Sequence, residues 1–204
     1  LLESRLLSGD KTLYESFWAQ TRQAHDAIAF FNAKLKEQDQ RHAKYNDTAY
    51  NLEPNLKESP GGLRDLHMII WLARSLNLHA GSHLSLNSIW TTLTKLHVIS
   101  ALEARQIRHH EKNLQSLRIQ LHFLSKRRED RLLFDFQNDL ATTLGYVNTP
   151  RKRASEQLMQ SYYRSAKFIS LMNEILLKQF KQMLSVSAPV IHPINERFEA
   201  HDQL

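Results

Sequence analysis

The chain has 204 residues, a formal net charge of +6 with eleven histidines besides, and no cysteine. The missing thiols exclude disulfides, thiolate zinc sites and a cysteine nucleophile, and they suit a reducing cytoplasm. Five glycines and five prolines leave little turn material for an all-β fold, and no apolar run reaches the roughly 18 residues of a transmembrane helix.

The first residues, Leu-Leu-Glu-Ser-Arg-Leu-Leu, carry neither an initiator Met nor a signal-peptide layout. They read as the end of a helix stopped by Gly9, inside a piece of a longer protein. Asp10 is placed to cap a helix reaching about Arg22. A second helix follows over about 26–45, with Ile28, Phe31, Leu35 and Gln38 on one face. A long polar loop, about 46–61, separates it from a helix over about 62–76. That helix spaces Leu63, Leu66, Ile69, Ile70 and Ala73 for a buried face.

A polar break at 77–84 leads to a short helix over about 86–96. Ser100 and Glu103 form a capping box. Behind it Ile107, His110, Leu114, Leu117, Leu121 and Leu124 alternate three and four apart, a seam for bundle packing. Residues 129–134 read as a turn with an extended piece, and 136–144 as a short helix closed by Gly145. Thr149-Pro150 is a cap followed by proline at the first helical position. It predicts one helix to about 185 with Leu158, Tyr162, Ile169, Met172, Leu176 and Met183 buried.

The resulting expectation is an all-α protein, an up-and-down bundle of four to five long helices with short extra ones and almost no strand. Its predicted divisions are 1–9, a bundle over 10–187, and a proline-containing linker over 188–204. The basic clusters Lys126-Arg127-Arg128 and Arg151-Lys152-Arg153 read as solvated helix ends.

The loop carries the chemistry. It runs Tyr50-Asn51-Leu52-Glu53-Pro54-Asn55-Leu56-Lys57-Glu58-Ser59-Pro60-Gly61-Gly62-Leu63-Arg64-Asp65. A connection this long in a helical domain usually has a functional reason. Paired glycines let a backbone approach a bound group, and a helix N-terminus offers N–H donors to an anion. Lys57 and Arg64 flank that point, Asp65 sits in the first helical turn, and Asn51 and Glu53 are able to bond a ribose or base. Gln38, Arg41 and His42 on the preceding helix are expected to line the same side. A second reading stands beside this one: Glu53, Lys57, Arg64 and Asp65 form an ion-pair network that pins the loop, with no ligand. Arg131 and Asp135 are expected to fix the turn before the short helix.

The same residues closely resemble the bifunctional uridylyltransferase and uridylyl-removing enzymes of bacterial nitrogen regulation. Matching pieces stand in order around the loop: Glu3-Ser4-Arg5 with Gly9-Asp10, Glu37-Gln38 with Arg41-His42, and Asp130-Arg131-Leu132-Leu133-Phe134-Asp135. The shorter Gly-Gly-Leu-Arg-Asp pattern is also similar to glutamine synthetase adenylyltransferase; the full Asn-Leu-Glu-Pro form favours the uridylyltransferases. The resemblance implies a cytoplasmic enzyme that moves UMP from UTP to the PII signal-transduction protein and removes it by hydrolysis. It implies a magnesium-dependent transferase core before this chain, a hydrolase domain after it, and C-terminal domains that sense glutamine. Residues 1–9 then correspond to the end of the transferase region, and 188–204 lead toward the hydrolase.

No catalytic residue is expected within the chain itself. Gly81-Ser82 lacks a following Asp-x-Asp and reads as a plain turn. His201-Asp202 is a bare dipeptide, and no H-E-x-x-H occurs, so no metal site is expected. The alternative function is a docking or inter-domain scaffold without nucleotide contact. Nucleic-acid binding, suggested by charge alone, ranks last because no helix-turn-helix signature accompanies it.

Overall fold

A computed structural model describes residues 2–76, 86–184, 191–195 and 198–201. Seven helices are present among them: α1 (Lys11–Ala24), α2 (Ala27–Ala43), α3 (Leu63–Ser75), α4 (Leu86–Lys95), α5 (Ala101–Ser125), α6 (Phe134–Thr143) and α7 (Ala154–Leu184). The all-α expectation holds for the bundle. One departure lies near the end, where β1 (Ile191–Asn195) pairs antiparallel with β2 (Phe198–His201) in a two-stranded hairpin. The sequence predicts a linker there.

Local chemistry starts several helices. Asp10 accepts from the Thr12 and Leu13 amides, and Asp26 from those of Ile28 and Ala29. Ser100 and Glu103 complete the capping box on α5. Residues 2–10 are turns and bends, not a helix end. The start of α7 also differs from expectation. Thr149 accepts the Lys152 amide through its hydroxyl and donates its own N–H to the Lys152 carbonyl, which makes 149–152 a turn. Pro150 belongs to that turn. The helix begins four residues later, where Asn148 accepts the Ala154 amide and Glu156 accepts that of Arg153.

The core lies where α3 packs against α2, α4, α5 and α7, and where α5, α6 and α7 meet. Ile69, Ile70, Trp90, Leu114, Leu121, Leu158, Ile169 and Phe180 are buried in it. Two residues predicted for the buried faces are not there: Ile28 and Met183, each about half exposed and close to its helix end. Phe180 fills the place expected of Met183. At 31 residues, α7 spans about 46 Å. It is the longest helix among the described residues and backs the whole loop region.

Candidate functional site

The 46–62 loop is fastened at three levels. Its apolar anchor is Leu56, fully buried and stabilising by about 1.5–3 kcal/mol. Its backbone is stitched to the segment before α6. Leu56 N–H donates to the Asp130 carbonyl at 2.8 Å, Leu132 N–H to the Pro54 carbonyl at 2.8 Å, and Asn55 bridges Arg131 as an antiparallel pair. Its turn is set by Asn55, whose side chain accepts the Lys57 and Glu58 amides at 3.0 and 2.8 Å.

The third fastening is Asp65. Its carboxylate is fully buried and Oδ2 accepts the Gly61 amide at 2.7 Å. Oδ1 accepts from Arg41 Nη2 at 2.7 Å, His42 Nε2 at 3.0 Å and Gln38 Nε2 at 3.1 Å. Gln38 also donates to Asn173 Oδ1 at 2.7 Å, tying α7 into the cluster. Burial pushes the carboxyl pKa up, but the His42 hydrogen bond and the Arg41 charge outweigh it and hold Asp65 below its ordinary value. The ionised carboxylate has acceptor capacity alone, so His42 presents its proton on Nε2.

These contacts change the meaning of the glycine pair. A Cβ on Gly61, at φ +74°, would lie 2.1 Å from the Ala166 carbonyl oxygen of α7. On Gly62 it would lie 2.7 Å from the Lys57 carbonyl oxygen. The close approach is therefore to the protein's own backbone. The donors expected to meet an anion are likewise engaged. Gly62 N–H goes to the Ser59 carbonyl, Leu63 N–H to Leu56, Arg64 N–H to Lys57 and Asp65 N–H to Gly62. The start of α3 keeps none of these for an anion.

Lys57 and Arg64 stand on the outer side of this latch. Their side chains are 20% and 27% exposed. Both reach the one carboxylate of Glu58, at 3.2 and 3.4 Å. Arg64 lies over the Trp71 ring at 5.4 Å, and Lys34 over the same ring at 4.9 Å. Burial, together with the Arg64 charge, pushes the neighbouring His67 pKa down. The motif thus has an inner face on which the Asp65 carboxylate is fully engaged and an outer ledge of Lys57 and Arg64 around Glu58, with Arg41 joining the two through the Glu58 carbonyl at 2.9 Å and its carboxylate at 3.9 Å.

Asn51 and Glu53 lie away from the Asp65 cluster. Asn51 accepts the Glu53 amide and, through its carbonyl, the Tyr163 hydroxyl at 3.2 Å. Glu53 pairs with Arg131 at 3.2 Å and accepts the Phe134 amide at 2.9 Å, capping α6 from another element. The structure therefore groups Gln38, Arg41, His42, Gly61 and Asp65, and places Lys57 and Arg64 outside them. Sequence reasoning missed Glu58 as the shared counter-ion; its adjacency to Lys57 was the available signal. Asn173 and Trp71 gave none, because tertiary packing alone brings them here.

Among the described residues no three His, Asp or Glu side chains converge as metal ligands. His79, His83, Gly81-Ser82 and Asp202 lie outside the described residues. No described helix is long and apolar enough to cross a membrane.

Residues 29–177 match the family described as GlnD PII-uridylyltransferase. This chain belongs to that family. Three similar relatives are each named bifunctional uridylyltransferase/uridylyl-removing enzyme. The one from Aromatoleum aromaticum is 47% identical over 205 residues, covering 100% of this chain and 23% of the relative. Those from Thiobacillus denitrificans and Chromobacterium violaceum are 44% and 43% identical, each over 98% of this chain and 22% of the relative. The chain thus spans under a quarter of the length of these uridylyltransferase relatives. No solved structure matches it.

Proposed function

We propose that this chain is the helical domain of a cytoplasmic uridylyltransferase and uridylyl-removing enzyme acting on the PII protein, with UTP as donor. Its part in that chemistry is to hold a rigid cationic ledge, Lys57 and Arg64, against a transferase core lying before residue 10. The ledge supplies positive charge to the triphosphate or to an acidic surface of PII. The supporting observation is the division of the motif: the Asp65 carboxylate is fully engaged from within, while Lys57 and Arg64, with Arg41 Nε behind them at 3.9 Å, gather on the Glu58 carboxylate toward the outer side. Magnesium belongs to the transferase core in this proposal. The residues here do not fit such a site, because Asp65 and Asp130 are already held by Arg41 with His42 and by Arg118 with His122. Hydrolysis of the UMP–PII linkage and glutamine sensing are assigned to domains after residue 187.

The engaged helix N-terminus favours a second reading, an inter-domain scaffold with no nucleotide contact. UTP and PII binding by a full-length family member, substituted at the positions of Lys57 and Arg64, separates the two. Alanine at either position is expected to weaken UTP binding about tenfold, the worth of one charge-assisted contact. Unchanged UTP affinity with weakened PII binding would move the ledge to protein docking. No change in either would leave only the scaffold. The 204-residue chain alone is expected to be inactive, and uridylylation of PII by it would refute the assignment of the chemistry elsewhere.

A further inference from the structure

A groove of about 700 Å³ runs along the first half of α7, between that helix, the start of the loop and the start of α6. Its apolar wall is open to solvent: Tyr50 is 56% exposed, Leu52 66% and Phe134 57%. Tyr50 packs on Tyr163 with ring centroids 5.6 Å apart. Opposite them stand Lys152, Arg153, Arg164 and Lys167, all exposed. None of these four has a carboxylate within 4 Å among the described residues. The one acidic side chain lining the groove among the described residues, Glu156, is turned back to accept the Arg153 amide.

We infer that this groove docks an acidic segment of a partner protein carrying an apolar side chain. The four cations lack counter-charges among the described residues, and the exposed Leu and aromatic side chains beside them supply an anchor pocket. From Arg153 to Lys167 the charges extend over about 21 Å along α7, longer than a triphosphate and spanned by an extended peptide of about seven residues. The spacing also follows one face of α7, through Met159, Tyr163, Arg164 and Lys167, so the surface is continuous. It uses different residues from the Lys57–Arg64 ledge and does not depend on nucleotide binding there.

The test is a fluorescence-anisotropy titration of the whole chain with a labelled peptide of alternating Asp and Glu around a central Leu-Phe pair. A second peptide replaces Leu-Phe with Ser-Ser. Saturable binding is expected for the first peptide and at least tenfold weaker binding for the second. The double variant Arg164→Glu, Lys167→Glu is expected to weaken the first peptide at least tenfold. Arg164→Gln with Lys167→Gln gives a smaller loss, helicity being unchanged because both positions are exposed. Absence of saturable binding, equal binding of the two peptides, or indifference to the charge changes would overturn the inference. So would displacement of the peptide by equimolar UTP or duplex DNA. A dimer in sedimentation that the double variant dissolves would assign the groove to a second copy and overturn it as well.

Discussion

Two aspartates hold the loop, and each is gripped by an arginine and a histidine. Asp65 takes Arg41 and His42; Asp130 takes Arg118 at 2.6 Å and His122 at 2.9 Å. They differ in solvation. The Asp65 side chain is fully buried, whereas that of Asp130 is 15% exposed and lies beside half-open partners. Both pKa values feel burial upward and both end lowered by their partners. The same residue types therefore serve two purposes. At Asp130 they steady a strand-like segment at the surface. At Asp65 they complete a dry cluster centred on one carboxylate, from which Gln38 reaches on to Asn173 and Arg41 to the Glu58 carbonyl.

The sharpest way to break this contrast is at Gly61. Gly61→Ala drives a methyl into the Ala166 carbonyl at a positive φ, and should cost about 4 kcal/mol or more in denaturant unfolding. The Asp130 side should be untouched, with the Leu56 to Asp130 amide still protected from exchange. Next comes the direct comparison of truncations. Asp65→Ala leaves buried Arg41 with only Glu58, its carboxylate 3.9 Å away, and should cost about 3–5 kcal/mol; Asp130→Ala, with solvent at hand, should cost about 1 kcal/mol. Equal costs would erase the distinction.

Acid sharpens it further. Asp65 has a folded pKa below its unfolded value, so its contribution is complete above the unfolded pKa and is lost as pH falls through the folded one. Stability measured from pH 6 downward should therefore decline, and Asp65→Asn should flatten that decline more than Asp130→Asn. Glu111 supplies the opposite case. It is buried on α5 with no ion pair among the described residues, and burial pushes its pKa up. The native state then holds its proton more tightly, so stability falls as pH rises from the unfolded value through the folded one. Glu111→Gln should stabilise the protein at pH 7 by about 1 kcal/mol and leave stability unchanged at acid pH.

The helices were legible because their signals are local. Asp10 and the Ser100–Glu103 box cap where the sequence places them, and of the predicted seam Ile107, Leu114, Leu117 and Leu121 are buried while His110 and Leu124 are half-buried. The start of α7 was not, because the Thr149–Lys152 turn competes with Pro150 as a first helical residue. Nor was the hairpin, whose first strand contains Pro193, a residue that argues against a strand. In the loop, charge and glycine read as ligand chemistry. The partners that neutralise Asp65 come from α2, more than twenty residues upstream in sequence, and only packing brings them together. Lys152 and Arg153 are the solvated helix end that the sequence predicts, exposed just before α7; what the sequence does not show is their neighbours. Beside Arg164 and Lys167 they line a groove.

The account turns on Asp65 locking the Gly-Gly segment against α7, with Lys57, Glu58 and Arg64 on its outer side. Amide hydrogen exchange at Gly61 measures this directly. Protection close to that of the α5 and α7 core amides is expected, since its N–H is buried on the Asp65 carboxylate. Exchange at the rate of an open, solvated loop would contradict the lock and free the segment to meet a ligand.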